Sequence, residues 1–221
     1  MAQQDRAIRT RQAILEAAGQ VFAECGYSAT RISDVYQRCG VTKGAFYFHF
    51  TSKAELAQAV LDEQVAEQSR YFAPPREAGA PKVQEWVDVA LVVAHRLTFD
   101  RMLQGSIRLA VDLGHEVIDR KVPYQAWIEV STQLLTDARD LGELVPGVEV
   151  AALSEAAVGA FTGVQLLSEI MTNRVDVEER MAVLYDLMAR SVATPEVYAR
   201  LRITADRGRT LARGAALHSA V

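Results

Sequence analysis

The chain is poor in cysteine, in strand signals and in long uninterrupted apolar runs, and each shortage excludes something. Only Cys25 and Cys39 are present among 221 residues. Two thiols and four scattered histidines cannot assemble a structural metal centre, and a disulfide is not expected in a reducing compartment. Both cysteines fall near the ends of helical segments and are expected as small, half-buried apolar residues. Val, Ile and Thr do not alternate, and no Asn-Gly or Asp-Gly pair marks a hairpin. Apolar runs stop far short of the roughly 18 residues of a membrane span. The stretch Met1-Ala2-Gln3-Gln4-Asp5-Arg6 lacks the apolar core of a secretory signal. No serine, histidine and aspartate stand in the context of a nucleophile elbow or triad. The expectation is a cytoplasmic, non-enzymatic protein with no cofactor and no metal.

What is present is an ordinary apolar content, enough chain for one large domain or two small ones, and an uneven charge. The net charge is −4, an odd value for a partner of nucleic acid. Residues 1–53 hold seven basic and four acidic residues, however, and residues 54–221 hold seventeen and twenty-four. A locally basic head can engage phosphates while an acidic body limits non-specific binding.

Almost every segment reads as helix. Ile14, Ala17, Ala18, Val21, Phe22 and Cys25 follow the helical period from about Arg6, and Gly26 stands where a helix stops. Short helices follow over Ile32 to Cys39, stopped by Gly40, and over Thr42 to His49. Ser52-Lys53-Ala54-Glu55 matches a capping box and opens a longer helix towards Phe72. Pro74-Pro75 ends it, and residues 74–81 form the one linker-like stretch. The body then predicts helices over Lys82–Phe99, Asp100–Leu113, Pro123–Leu141, Val148–Met171, Val177–Ala193 and from Pro195 onward. The tail after Arg207 has a composition that frays. No internal repeat is visible. Val148–Met171 is apolar on most faces, which predicts burial on nearly all sides. With the stripe Met181, Leu184, Tyr185, Met188 and Val192 it predicts a four-helix dimer interface, the alternative being closure of the monomer core. His95 and His115 are expected in solvent or at helix ends.

Gly40-Val41-Thr42-Lys43-Gly44-Ala45-Phe46-Tyr47-Phe48-His49-Phe50 carries the function. Two short helices across a Gly-Val turn have the layout of a helix-turn-helix, whose second helix enters the DNA major groove. Thr42 can cap the helix and offer its hydroxyl to a phosphate. Lys43 puts a cation at a helix start, where the macrodipole disfavours it. Gly44 costs about 1 kcal/mol relative to Ala inside a helix. Folding explains neither choice, whereas an approaching polyanion explains both. Tyr47 and His49 add polar tips, Phe46 and Phe50 anchor the helix, and Phe48 is expected to pack in the core.

This segment, with Phe22-Ala23-Glu24-Cys25-Gly26-Tyr27 before it and Thr51-Ser52-Lys53-Ala54-Glu55-Leu56 after it, closely resembles the N-terminal domain of TetR-type transcriptional repressors. The resemblance covers residues 8–68. It implies an all-α protein with a helix-turn-helix domain at 1–53 and a helical ligand-binding and dimerisation domain at 54–221. It also implies DNA contacts by Tyr47, His49 and Lys53, beside Thr42, Lys43 and Gly44. Tyr36, where a small residue is usual, and Phe46, where Leu is usual, depart from the pattern and change how the two short helices pack.

Val41 to Phe50, together with Val122-Pro123-Tyr124-Gln125-Ala126-Trp127, is similar to the actinobacterial γ-butyrolactone-type autoregulator receptors. That resemblance implies a homodimer on a pseudo-palindromic operator of double-stranded DNA, with antibiotic-biosynthesis and regulatory genes repressed. A small diffusible lactone, furan or butenolide releases it, and no membrane is involved. It further implies Gln64, Trp127 and Thr162 as ligand contacts. Gln165 joins them as a polar group on an apolar helix, as a mostly apolar cavity with a few orienting groups requires. Each has a plain alternative: a surface Gln, a core Trp, a Thr bonded to its own helix. Two other functions share this head, a multidrug-sensing repressor and a ligand-independent interaction protein. In the regulatory reading the helix from Ser52 and Lys53 to Gln64 is the lever.

Overall fold

A computed structural model describes residues 2–71, 79–112 and 118–218, and eleven helices run through them. They are α1 (Ala2–Ala29), α2 (Ile32–Arg38), α3 (Lys43–His49), α4 (Lys53–Tyr71), α5 (Lys82–Arg96), α6 (Arg101–Val111), α7 (Lys121–Asp140), α8 (Val150–Thr172), α9 (Val177–Val192), α10 (Pro195–Tyr198) and α11 (Arg207–His218). Pro74-Pro75 and His115 lie outside the described residues. The caps match the sequence expectations in several places. α1 breaks at Gly26, and Thr194 accepts a hydrogen bond from the Val197 amide at the start of α10. The helix expected from Pro195 onward is instead two. α10 ends at Tyr198, and the chain from Ala199 to Asp206 intervenes before α11.

The chain packs as two units, residues 1–67 with 100–123 and residues 68–99 with 124–221. Packing therefore does not follow the division at residue 53. Most of α4, to Glu67, and the whole of α6 pack with the head. In this first unit Ile14, Leu15, Ala18 and Phe22 of α1 are buried with Leu56, Val60 and Leu61 of α4 and Leu103 and Leu109 of α6. α1 and α6 cross backbone to backbone. A Cβ on Gly105 would be driven into the Gly19 carbonyl oxygen, so only glycine allows that approach. Gln58 of α4 accepts a hydrogen bond from the Asp119 amide at 2.7 Å, tying α4 to the segment after α6.

In the second unit the helix buried all round is α5, from Val83 to Ala94 apart from half-buried Glu85. Its two buried polar residues are matched. Asp88 receives a bidentate pair from Arg207 of α11 at 2.5 and 2.7 Å, and Gln84 bonds both to Asp88 and to the Arg202 backbone. His95, expected in solvent or at a helix end, lies in the last turn of α5 and is half-buried, with its Nδ1 2.8 Å from Glu178, which also accepts from Arg209 at 2.8 Å. Trp86 donates its indole N–H to Ser131 at 2.9 Å.

α8 corrects the largest expectation. It is not buried on nearly all sides. Only a narrow stripe faces inward: Val150, Ser154, Ala157, Gln165 and Ser168. Leu166, Leu167, Ile170 and Met171 face outward and are exposed, as are Val183 and Leu187 of α9. Averaged across its Ser and Glu residues, α8 is long and apolar enough by composition to cross a membrane. Its inward stripe is mixed, however, with Ser154, Gln165 and Ser168 beside Val150 and Ala157, which suits a helix with protein on one side and an apolar partner on the other. The α8–α9 corner is held by Asp176, which accepts from Ser168 at 2.6 Å, Thr172 at 2.7 Å and Arg180 at 2.8 Å. Arg180 first, then the two hydroxyls, hold its carboxyl well below the usual carboxylate range.

Two outcomes follow. Gly105→Ala forces α1 and α6 apart and lowers stability by about 1–3 kcal/mol in thermal or urea denaturation. A depressed carboxylate pKa stabilises above the unfolded value and loses that stability as pH falls towards the folded one. The stability gap between the protein and Asp176→Asn is therefore constant near neutrality and shrinks below about pH 4, read by denaturation across pH.

Candidate functional site

α2 ends at Arg38 with Cys39 as its cap, and Gly40 takes a positive φ of 69° that a side chain would oppose. The Val41 amide donates back to the Tyr36 carbonyl at 3.0 Å, closing the turn. Thr42 then caps α3, its hydroxyl accepting from the Ala45 amide at 3.2 Å. Phe46 and Phe50 are buried, with ring centroids 6.0 Å apart. Tyr36 and Phe46, the two departures from the family pattern, meet each other at 6.4 Å. The larger residue on α2 and the aromatic on α3 thus form one tilted pair between the two helices.

The opposite side of α3 is open. Thr42, Lys43, Gly44 and Tyr47 are exposed, and His49 is half-buried. Lys43 has no carboxylate partner among the described residues, and its ammonium lies 6.0 Å above the Tyr47 ring. A Cβ on Gly44 would meet nothing within 4 Å, so nothing in the fold demands glycine there. Phe48, expected in the core, is 79% exposed. Cys25, expected as half-buried, is exposed too, while Cys39 is half-buried with its thiol 3.2 Å from the Val35 carbonyl.

Lys53 is placed differently from its neighbours. Its ammonium donates to the carbonyls of Tyr27, Ser28 and Thr30 at 2.8, 3.2 and 3.0 Å, and it sits 4.5 Å from the Tyr27 ring centroid. All three of its donors are used by the end of α1 and the turn after it. Arg108 of α6 adds bonds to the Ala23 and Glu24 carbonyls at 2.8 and 3.2 Å. Two cations from two helices thus satisfy the carbonyls at which α1 breaks. Arg38 of α2 grips the Glu24 carboxylate with two bonds of 2.8 Å, which lowers the Glu24 pKa and raises that of Arg38. The expected capping box is present in altered form. Ser52 accepts from the Glu55 amide at 3.1 Å, but Glu55 reaches back to the amide and hydroxyl of Thr51 at 2.7 and 2.6 Å. The Thr51 hydroxyl and amide hold the Glu55 carboxyl below its usual range.

The expected ligand residues divide between the two units, and each is described in its own. Gln64 of α4 is 1% exposed, and neither amide atom has a hydrogen-bond partner among the described residues. Gln165 of α8 is in the same condition. Thr162 donates to the Val158 carbonyl at 2.9 Å, the bond back to its own helix that was the plain alternative. Trp127 of α7 is half-buried. Sequence reasoning missed Ser154, fully buried on the same inward stripe of α8 as Gln165, its hydroxyl without a partner among the described residues. Its eleven-residue spacing from Gln165, about three turns, was the available signal.

A short, capped helix offering a cation, a bare backbone and two aromatic tips is the output surface of a helix-turn-helix regulator. The sequence description of bacterial regulatory proteins of the tetR family matches residues 14–60. The A-factor receptor protein of Streptomyces griseus is 33% identical over 202 residues, 91% of this chain and 70% of that protein. The chain therefore belongs to the tetR family, as a DNA-binding repressor of that type. The solved structure of full-length TylP, a TetR regulator from Streptomyces fradiae, is 42% identical, with a TM-score of 0.82, covering 95% of this chain and 99% of that one. A solved gamma-butyrolactone receptor, an ArpA-like protein, is 26% identical with a TM-score of 0.69, covering 96% and 99%.

The two lysines separate in a salt titration of operator binding. Lys43→Ala weakens binding and lowers the log–log salt slope by about 1 per half-site, the mark of a lost phosphate contact. Lys53→Ala lowers thermal stability by about 2 kcal/mol through the carbonyls it leaves unpaired, and weakens binding with the slope unchanged.

Proposed function

We propose that this chain is a dimeric, autoregulator-responsive repressor, released from its operator by a small ligand of the γ-butyrolactone, furan or butenolide type. Gln165 carries this reading. A buried amide with neither atom paired costs about 1–3 kcal/mol per unsatisfied group, and native structures fill such positions with a water or a ligand. Ser154 on the same stripe repeats the observation, and Gln64 repeats it in its own unit. A lactone supplies carbonyl and ring oxygens that accept from a Gln amide, and its acyl portion suits apolar walls. The similarity to the A-factor receptor and to a gamma-butyrolactone receptor supports the same ligand class.

The dimer uses the outward faces of α8 and α9. Leu166, Leu167, Ile170 and Met171, with Val183 and Leu187, form the exposed apolar surface of a packed helix pair. Two such pairs related by a two-fold axis make a four-helix interface. The dimer presents two α3 helices to successive half-sites. Within the first unit, α4 runs about 16 Å from Gln64 to Lys53, whose ammonium holds the end of α1. We assign DNA contact to Thr42, Lys43, Gly44, Tyr47 and His49, and give Lys53 the task of holding their support. The protein acts in the cytoplasm beside its operator and as a regulator rather than an enzyme. Ligand shifts the DNA-binding equilibrium only by its difference in affinity for the bound and released conformations.

Gln165→Leu tests the site. Removing an unpaired buried amide leaves the fold as stable or more so, while the lactone concentration needed to release operator rises about tenfold or more. Trp127→Ala abolishes release while the protein still binds DNA. Gel-shift release by synthetic γ-butyrolactones read alongside melting temperature checks both. Unchanged release by both variants overturns the assignment, and release by cationic dyes in place of lactones overturns the ligand class.

A further inference from the structure

The outermost point of α3 is not a charged residue. Around a helix, Gly44 and Phe48 fall about 160° and 200° from the buried Phe46, so they share the face directed away from the core. Phe48 is 79% exposed there, and Gly44, one turn earlier, contributes no side chain that would shield it. The Phe48 ring meets the His49 ring edge to face, with centroids 5.1 Å apart and an interplanar angle of 86°. An exposed apolar ring at the leading edge of a recognition helix costs solvation in the free protein and recovers it only against an apolar group on the partner. The major groove offers one such group at base edges, the 5-methyl of thymine. The polar neighbours Thr42, Lys43, Tyr47 and His49 have the hydrogen-bonding capacity for phosphates and base heteroatoms, which Phe48 lacks.

We propose that Phe48 is a specificity-determining residue that reads a thymine methyl group in each operator half-site, with Gly44 allowing the helix to come close enough for the contact. The proposal rests on the operator-binding reading and adds a base preference to it. Lys43 supplies affinity irrespective of sequence, whereas Phe48 distinguishes thymine from a base without the methyl.

Deoxyuridine keeps every hydrogen-bonding group of thymidine and lacks only that methyl. Duplexes are selected from a random pool by the purified wild-type protein, and each thymine of one half-site is replaced singly by deoxyuridine. Affinities are then measured by fluorescence anisotropy at constant salt. The expected result is one position at which demethylation weakens wild-type binding about fourfold, the effect of withdrawing one buried methyl. Phe48→Ala binds more weakly and is indifferent to demethylation at that position, and Phe48→Leu keeps part of the sensitivity. Since Phe48 contributes nothing to the core, both variants fold, as checked by their melting temperatures. A selected operator with no methyl-sensitive thymine removes the Phe48 proposal and leaves operator binding standing. So does full methyl sensitivity in Phe48→Ala. Selection of no duplex at all removes both readings together.

Discussion

Burial of Phe46 and Phe50 is the interaction on which the DNA-facing surface depends. α3 has seven residues, too few to be stable on its own. It persists because two aromatic side chains are driven out of water, Phe46 against Tyr36 of α2 and Phe50 under the Arg11 guanidinium of α1. Everything useful on the other face, from Lys43 to Phe48, inherits its position from them. The same demand explains the effort spent on the supporting helices. α1 breaks at Gly26 and leaves carbonyls open, and Lys53 and Arg108 close them from α4 and α6. Arg38 and Glu24 fasten α2 to α1 beside that break. The head is thus a short helix on a framework whose loose end is tied by cations.

The second unit solves a different problem. α5 is enclosed on almost every side, and its Asp88 and Gln84 are tolerable there because Arg207 and the Arg202 backbone satisfy them. α8 is built the other way. Its inward stripe holds Ser154 and Gln165 without partners, and its outward face holds the large apolar side chains. A single folded chain gains little from such a helix. In the proposed reading, a dimer that encloses a ligand uses both of its sides.

Much of this was legible along the chain, because the signals are local. The glycine at position 40, the threonines at 42 and 194, and the Ser52–Glu55 box each act within a few residues of themselves, and each lies at a helix boundary in the structure. The helical period of α1 and the apolar content of α8 were equally plain. What periodicity could not supply was the second partner of each surface. Val148–Met171 was expected to be buried because it is apolar, yet hydrophobicity states only that a face seeks cover, not that its own chain provides it. Phe48 was placed in the core by the same reasoning and proved exposed. His95 is at a helix end as expected, but its partner Glu178 lies more than eighty residues away, beyond the reach of local signals. Lys53 looked like its neighbours because a cation near a recognition helix reads as a phosphate ligand. Its three carbonyl partners lie more than twenty residues away in sequence.

The sequence by itself determined most of the helix boundaries, the helix-turn-helix and the family, since capping, glycine placement and short-range spacing are written within single turns of chain. Tertiary structure decided which apolar and charged residues were spent on folding and which remained for other molecules. That allocation depends on what each side chain meets across long sequence separations. It took Lys53 for the framework, left Lys43 and Phe48 at the surface, and left Ser154 and Gln165 buried without a partner of their own.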